Sequence, residues 1–326
     1  MNAILPDGPA TTSATMAACR VHRFGPPEVI TLEDVERPSP GAGQVLVRVA
    51  AAGAGPWDTW IRAGRSVLPQ PLPLTLGSDI AGVVVAAGPD VAGLKPGDAV
   101  FGVTNKRFTG GYAEFALAEA GMIASRPARM NPIEAASLPV VAVTAQQAIE
   151  RAGVAVVGES MLIHGGAGSV GGIAVQLAHR AGIRVIATAG ARDLAYVRGL
   201  GADQVVDFRA ARFEDAVGEP VHAVLDFAGG ETQTRSFTVL RPGGRLISAV
   251  SEPDQALAHA RRVSAVFFLV DVTTARLASV AALFAAGVLA ADVGAVLPLA
   301  SARMAHEMLD GARARPRGKI VLSIAP

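Results

Sequence analysis

Cysteine is almost missing from this sequence: Cys19 is the only one in 326 residues. A single thiol cannot form an intramolecular disulfide or a metal site built on two thiolates, and such thrift fits a reducing, cytoplasmic location. Aromatic residues are scarce too, at 5% with two Trp and two Tyr, so Ala, Val, Leu and Gly must build the core. Neither sign of charge predominates, because 29 Lys and Arg stand against 28 Asp and Glu. With no bulk field, neither nucleic acid nor a membrane is expected as a partner. Long apolar runs are lacking as well. The strongest, Leu277 to Ala291, spans fifteen residues, short of the roughly 20 that cross a bilayer, and is read as a buried helix. Residues 1–18 contain Pro6, Asp7, Gly8 and Pro9 and lack a basic start followed by an apolar run of about 7 to 15 residues, so they read as a flexible extension and not as a secretory signal.

Hydrophobic residues make up 51% of the chain, and its length exceeds the usual size of one core, so two domains with a cleft between them are expected. From Arg20 to Phe115 short β-rich runs (Val45 to Ala50, Ile80 to Val85, Ala99 to Val103) alternate with Gly and Pro turns, which predicts a β-rich domain. Lys95-Pro96-Gly97-Asp98 reads as a turn feeding the strand at Ala99. After about residue 130 strands and helices alternate, the pattern of a parallel sheet covered by helices. The predicted strands are Ser160 to His164, Arg184 to Thr188, Gln204 to Asp207, Ala223 to Phe227, Arg245 to Val250 and Ala265 to Val270, with helices such as Val170 to Ala181 and Arg192 to Leu200 between them. Six strands in this order make an α/β, doubly wound dinucleotide-binding fold the simplest solution. A last strand, Lys319 to Ile324, is placed to return to the first domain.

The turn His164-Gly165-Gly166-Ala167-Gly168-Ser169-Val170-Gly171 follows a predicted strand and opens a predicted helix. In that context Gly166-x-Gly168-x-x-Gly171 lets the backbone approach a pyrophosphate, whose oxygens meet free N–H groups at the positive helix end. A structural glycine turn is the plainer alternative. A fold of this kind that prefers NAD carries an acidic residue about 20 residues on, at the end of the second strand, to bond the ribose 2′-hydroxyl. Here that strand ends Ala187-Thr188-Ala189-Gly190, with no carboxylate, and Arg192 follows. A guanidinium there favours a 2′-phosphate, so NADPH is the expected cofactor, unless Arg192 is simply a solvated first-turn residue. The six histidines show no ligand spacing. His164, beside the turn, reads as a packed residue whose ring nitrogen bonds backbone.

These residues resemble the medium-chain dehydrogenase/reductase superfamily, and within it the quinone oxidoreductase group that includes zeta-crystallin. The carriers are Gly77 to Val83, Gly97 to Gly102, Gly110 to Phe115, Ala135 to Pro139 with Thr144 and Ala145, the glycine turn, Leu240 to Gly244 and Gly318 to Leu322, so the likeness covers Ala17 to Ile324. It implies a GroES-like β-rich catalytic domain, residues 19–134 and 290–326, joined to a Rossmann NADPH-binding domain, residues 135–289. It also implies a homodimer, formed through the apolar edge strand Ala265 to Val270. Zinc alcohol dehydrogenases of the superfamily hold their metal with a Cys, a Gly-His-Glu motif and a second Cys. Alignment places Gly55, Ser78, Asp79 and Val140 at those positions, so no metal is expected.

The resemblance further implies a cleft lined near the nicotinamide by the segment Gly55 to Arg62, from which Trp57, Asp58 and Trp60 are the candidates for contact with substrate. Trp57 and Trp60 can stack on a flat ring, or equally plug the domain junction. Gly55 stands where relatives carry Asn, Trp60 where they carry Tyr, and Ser66 where enoyl reductases carry a proton-donating Tyr. Thr144, Val250, Phe267, Phe268 and Leu269 are implied at the nicotinamide end. Phe208, Ala228, Gly229 and Lys319 complete the expected cofactor contacts beside Gly166 to Val170, Thr188 to Gly190 and Arg192. Reducing a quinone needs protons only on oxygen, which solvent supplies, whereas reducing an enone needs a proton on carbon. The expected function is therefore NADPH-dependent reduction of quinones or related conjugated carbonyls. Reduction of alkenal or enone double bonds is the first alternative, and a non-catalytic NADPH-binding role the second.

Overall fold

A computed structural model describes residues 14–153 and 158–324. The β-rich half opens with β1 (Thr15–Val21), β2 (Thr31–Glu36), β3 (Gln44–Ala54), β4 (Leu74–Thr75), β5 (Asp79–Ala87), β6 (Ala99–Val103), β7 (Phe115–Glu119) and β8 (Ile123–Ser125). β1 already starts at Thr15 and pairs with β2 from there, so residues 15–18 are not a flexible extension. Residues 1–13 lie outside the described residues.

The later strands are β9 (Ser160–His164), β10 (Arg184–Ala189), β11 (Gln204–Asp207), β12 (Val221–Asp226), β13 (Leu240–Ser248), β14 (Ser264–Phe267), β15 (Val293–Pro298) and β16 (Lys319–Ser323). β9 to β14 form one parallel sheet in the order β11-β10-β9-β12-β13-β14. The order reverses at β9, which opens a crevice beyond the carboxyl ends of the strands. β9 and β11 have their predicted ends. β14 stops at Phe267, three residues short of the expected Val270, and two others stop early because a side chain takes over the backbone. Asp226 accepts from the amides of Ala228 and Gly229, so Phe227 leaves β12. Ser248 likewise accepts from Val250 and Ser251, ending β13 two residues before Val250.

β15 and β16 return to the first half, where β16 pairs antiparallel with β3. β3 is the hub of that sheet and also bonds β5 and β7. The two halves meet where α1 (Pro56–Arg62) follows β3 and where α2 (Pro132–Ser137) lies across it. Gly53 permits that crossing, since a Cβ there would stand 2.3 Å from the Ala136 carbonyl oxygen. α3 (Pro139–Ala152) and α4 (Ser169–Arg180) then cover one face of the parallel sheet around Ile163, Val185 and Leu225. The apolar stretch from Leu277 does form a helix with buried Leu277, Val280 and Phe284. It spans Thr274–Ala285 and ends before Gly287, whose φ is 70°, well short of Ala291. None of the described helices is long and apolar enough to cross a membrane.

Candidate active site

β9 delivers the chain to the glycine turn, and α4 leaves it. The turn is held by backbone: Gly168 donates to the Gly165 oxygen at 2.8 Å and Gly166 to the Thr188 oxygen at 2.9 Å. Gly171 is required by close approach, because a Cβ on it would fall 2.1 Å from the Gly165 oxygen. Gly168 caps α4 in an extended conformation. The first N–H groups of α4 have no carbonyl four residues back and point, with the helix dipole, toward an incoming anion. Gly168, Ser169 and Val170 line the crevice, while Gly166 is buried behind them and Ala167 packs against the core.

His164 is fully buried, and its ring nitrogens meet two hydroxyls, Thr188 Oγ1 at 3.2 Å and Ser236 Oγ at 2.9 Å. The expected backbone partner is thus replaced by side chains. Burial lowers its pKa to about 4, so it is a neutral structural residue. Thr188 also accepts from the Gly165 amide, which makes it a brace for the turn.

Beyond Ala189 the chain passes Gly190 into a 3-10 turn, Ala191–Asp193, on which Arg192 is exposed. The expected helix from Arg192 begins only at Leu194. Phe208 donates its amide to the Ala189 oxygen at 3.2 Å, and its ring, 57% exposed, stands beside Gly190. The guanidinium of Arg209 lies 5.5 Å from that ring. Sequence reading did not single out Arg209, although β11 pairs with β10 and so brings the residues after Asp207 to the end of β10. Asp207 spends a carboxylate oxygen on the Arg209 amide.

From the phosphate turn the crevice continues toward the β-rich half as one cavity of about 640 Å³ in all. Thr144, Ala228, Val250, Phe267, Phe268 and Leu269 line it from the parallel-sheet half, and Trp57, Trp60, Ser66 and Lys319 from the β-rich half. The Thr144 hydroxyl donates to the Val140 oxygen at 2.7 Å. Gly229, at φ 73°, turns the chain against Val250. Ser66 Oγ accepts from the Leu68 amide at 3.1 Å and stiffens its own loop. Arg65, Arg107, Phe108 and Arg315 also line the cavity, none of which the sequence reading named.

Asp58 is the exception among the expected cleft residues. It is fully buried, turned away from the cavity into the interior, with Oδ2 accepting from the Gly55 amide at 2.8 Å and from the Tyr112 hydroxyl at 3.2 Å. Oδ1 has no partner among the described residues. Burial pushes its pKa up to about 7. Beside it a second fully buried carboxylate, Asp79, pairs with the Lys319 ammonium at 3.0 Å and accepts from the Val140 amide at 3.1 Å. Desolvation raises the Asp79 pKa against the pull of Lys319.

The positions aligned with zinc ligands therefore hold an organised arrangement of another kind. Gly55 brings no donor, and a Cβ there would collide with the Trp57 indole. Ser78 Oγ accepts from Trp57 Nε1 at 3.4 Å. Asp79 is neutralised by Lys319, whose ammonium sits 4.1 Å from the Trp57 ring centroid. With valine at position 140, this set does not supply the three protein ligands that a catalytic zinc takes. No group of three or more His, Cys, Asp or Glu side chains among the described residues could hold a metal ion elsewhere.

Residues 41–128 match the family model described as alcohol dehydrogenase GroES-like domain, and residues 200–322 that described as zinc-binding dehydrogenase. The quinone oxidoreductase of Sus scrofa is 34% identical over 96% of this chain and 99% of its own. The solved quinone oxidoreductase from Coxiella burnetii superposes with a TM-score of 0.89 at 32% identity, covering 95% of this chain and 100% of that one. A mycobacterial protein solved in complex with NADPH gives a TM-score of 0.82 at 31% identity, covering 94% of this chain and 99% of that one.

Proposed function

The chain belongs to the medium-chain dehydrogenase/reductase superfamily, in its quinone oxidoreductase group, and from that membership we propose an NADPH-dependent reductase of quinones or related conjugated carbonyls that works without a metal. The observation that carries this reading is one continuous cavity joining the phosphate turn at Gly168 to a wall containing two indoles, Trp57 and Trp60. NADPH, when bound, supplies the hydride. The α4 N-terminus holds its pyrophosphate, and Arg192 with Arg209 receives the 2′-phosphate by charge-assisted bonds. Phe208 offers a face to the adenine, while Val250 and Phe267 to Leu269 close around the nicotinamide. Trp57 and Trp60 seat a flat acceptor by stacking and exclude water from one of its faces. Among the described residues no tyrosine or histidine lines this cavity, so a quinone, protonated on oxygen by solvent, suits it better than an enone. The lone cysteine, Cys19, is buried and fits a reducing, cytoplasmic setting.

The catalytic domain is assigned to residues 19–134 and 290–326 and the cofactor domain to 135–289. Two copies are assigned to pair through β14, an edge strand whose Val266 is 39% exposed. The direct test is steady-state turnover of benzoquinones and of 2-alkenals with NADPH and with NADH, before and after chelation. Benzoquinones are expected to give the higher kcat/KM, NADPH to outperform NADH, and chelator to change nothing. Arg192→Ala is expected to raise the NADPH KM about tenfold, the loss of one or two charge-assisted bonds. A preference for alkenals, loss of activity on metal removal, or unchanged discrimination in the variant would each overturn the corresponding part.

A further inference from the structure

The cavity carries an electrostatic asymmetry that reduction of a neutral quinone does not require. Its charged lining residues are Arg65, Arg107, Arg315 and Lys319, and no aspartate or glutamate among the described residues lines it. Lys319 is matched by Asp79. Arg65, Arg107 and Arg315 are exposed, and none of the three guanidiniums has a hydrogen-bond or ion-pair partner among the described residues; Arg65 and Arg107 are the two whose loops are tied together, through Gln70. Elsewhere in the molecule Arg20, Arg62, Arg235 and Arg276 are held by carboxylates, while the exposed guanidiniums of Arg192 and Arg198, like those at the cavity, have no such partner among the described residues.

The backbones beneath these two guanidiniums are fixed. Arg65 donates its amide to the Trp60 oxygen at 2.8 Å, so it follows directly from α1 and the indole wall. Arg107 donates its amide to Asn105 Oδ1 at 2.9 Å, and its carbonyl accepts from Gln70 Nε2 at 3.0 Å. Gln70 thereby ties the loop after α1 to the loop between β6 and β7. The same loops carry apolar lining residues next to the cations in sequence, Val67, which is 80% exposed, and Leu68 after Arg65, and Phe108 after Arg107. Both arginines stand on the β-rich wall, whereas the phosphate turn belongs to the other half.

The geometry points to an anionic acceptor: a quinone or conjugated carbonyl bearing a carboxylate or phosphate on a short arm, with one face of the reducible ring against the indole wall and the arm's oxyanion on Arg65 and Arg107. Guanidiniums bind such oxyanions through paired N–H donors, and the rim leaves both forks free. This inference rests on the reductase reading and deepens it.

Three naphthoquinones differing only at the end of a three-atom saturated arm, which insulates the ring potential, separate the possibilities: methyl, carboxylate and phosphate ends. With NADPH saturating, the wild-type kcat/KM is expected to favour the charged acceptors by about fivefold, the upper end for an exposed ion pair. The better of the two anions names the source of the charge. The preference should collapse in about 1 M salt, where the Debye length is about 3 Å. The double variant Arg65→Ala/Arg107→Ala should bring the charged-to-neutral ratio down toward one, Arg107→Glu should lower it further than Arg107→Ala does, and Arg315→Ala should leave it near the wild-type value. Because the readout is a ratio within each variant, a general loss of activity or stability does not imitate the result. Equal kcat/KM for all three acceptors, or a wild-type ratio that survives the double variant, overturns the inference. So does a raised NADPH KM with an unmoved ratio, which would assign both cations to the cofactor. Turnover of none of the three would instead overturn the reductase reading itself.

Discussion

Asp58 is a carboxyl sealed away from water, with one oxygen unpartnered and a pKa near 7 in the fold, against an ordinary value of 3.8. The native state therefore holds this proton more tightly than the unfolded chain does. Its contribution to stability is present below pH about 4 and is lost as the pH rises through 7. Asp58→Asn removes the titration. The stability of the wild type relative to this variant should fall by about 4 kcal/mol between pH 4 and pH 8, measured by urea unfolding at each pH. A flat difference would mean that the carboxyl stays solvated. The sequence contained part of this result. In α1 the cavity is reached by Pro56 and by Trp57, Trp60 and Ile61, the last three spaced three and four apart, which leaves Asp58 on another face. What no local pattern gives is the far partner: Tyr112 lies 54 positions away, and Lys319 is 240 positions from Asp79.

Among the elements, the glycine turn was the most legible because it is local, a few residues whose spacing sets their own geometry. Gly171→Ala tests it: the new methyl would meet backbone atoms of Gly165, which cannot swing aside. A loss of about 2 kcal/mol in stability, within the range of overpacking, and at least about a tenfold weaker NADPH affinity are expected from thermal unfolding and fluorescence titration. Native affinity in this variant would show that the turn can relax. Strand ends were less legible. Asp226 and Ser248 read as ordinary strand residues, and only the fold reveals that each bends back to take the following amides and so redirects Phe227 and Val250. The cavity rim was hidden for a related reason. Arg65 and Arg107 are 42 positions apart, and the Gln70 side chain joins their loops.

Over the whole molecule, the cofactor sheet ends in β14, a free edge with exposed Val266. A charge at such an edge opposes pairing. If two copies join there, the wild type should sediment as a dimer and Val266→Glu as a monomer, while a monomeric wild type would place the interface elsewhere or remove it. The route of the chain between its sheets has a different consequence. All six cofactor strands fall between residues 160 and 267, whereas β3, the hub of the other sheet, waits for residues 319–323 to complete its pairing. On a ribosome, which releases the chain from the N-terminal side, the nucleotide-binding half can close first, leaving the earlier-made half with an open seam. That seam lies where the active-site wall will stand, so Lys319 reaches Asp79 only after all six strands of the parallel sheet have been made. Catalytic competence would then follow the closing of the parallel-sheet half and could not precede it.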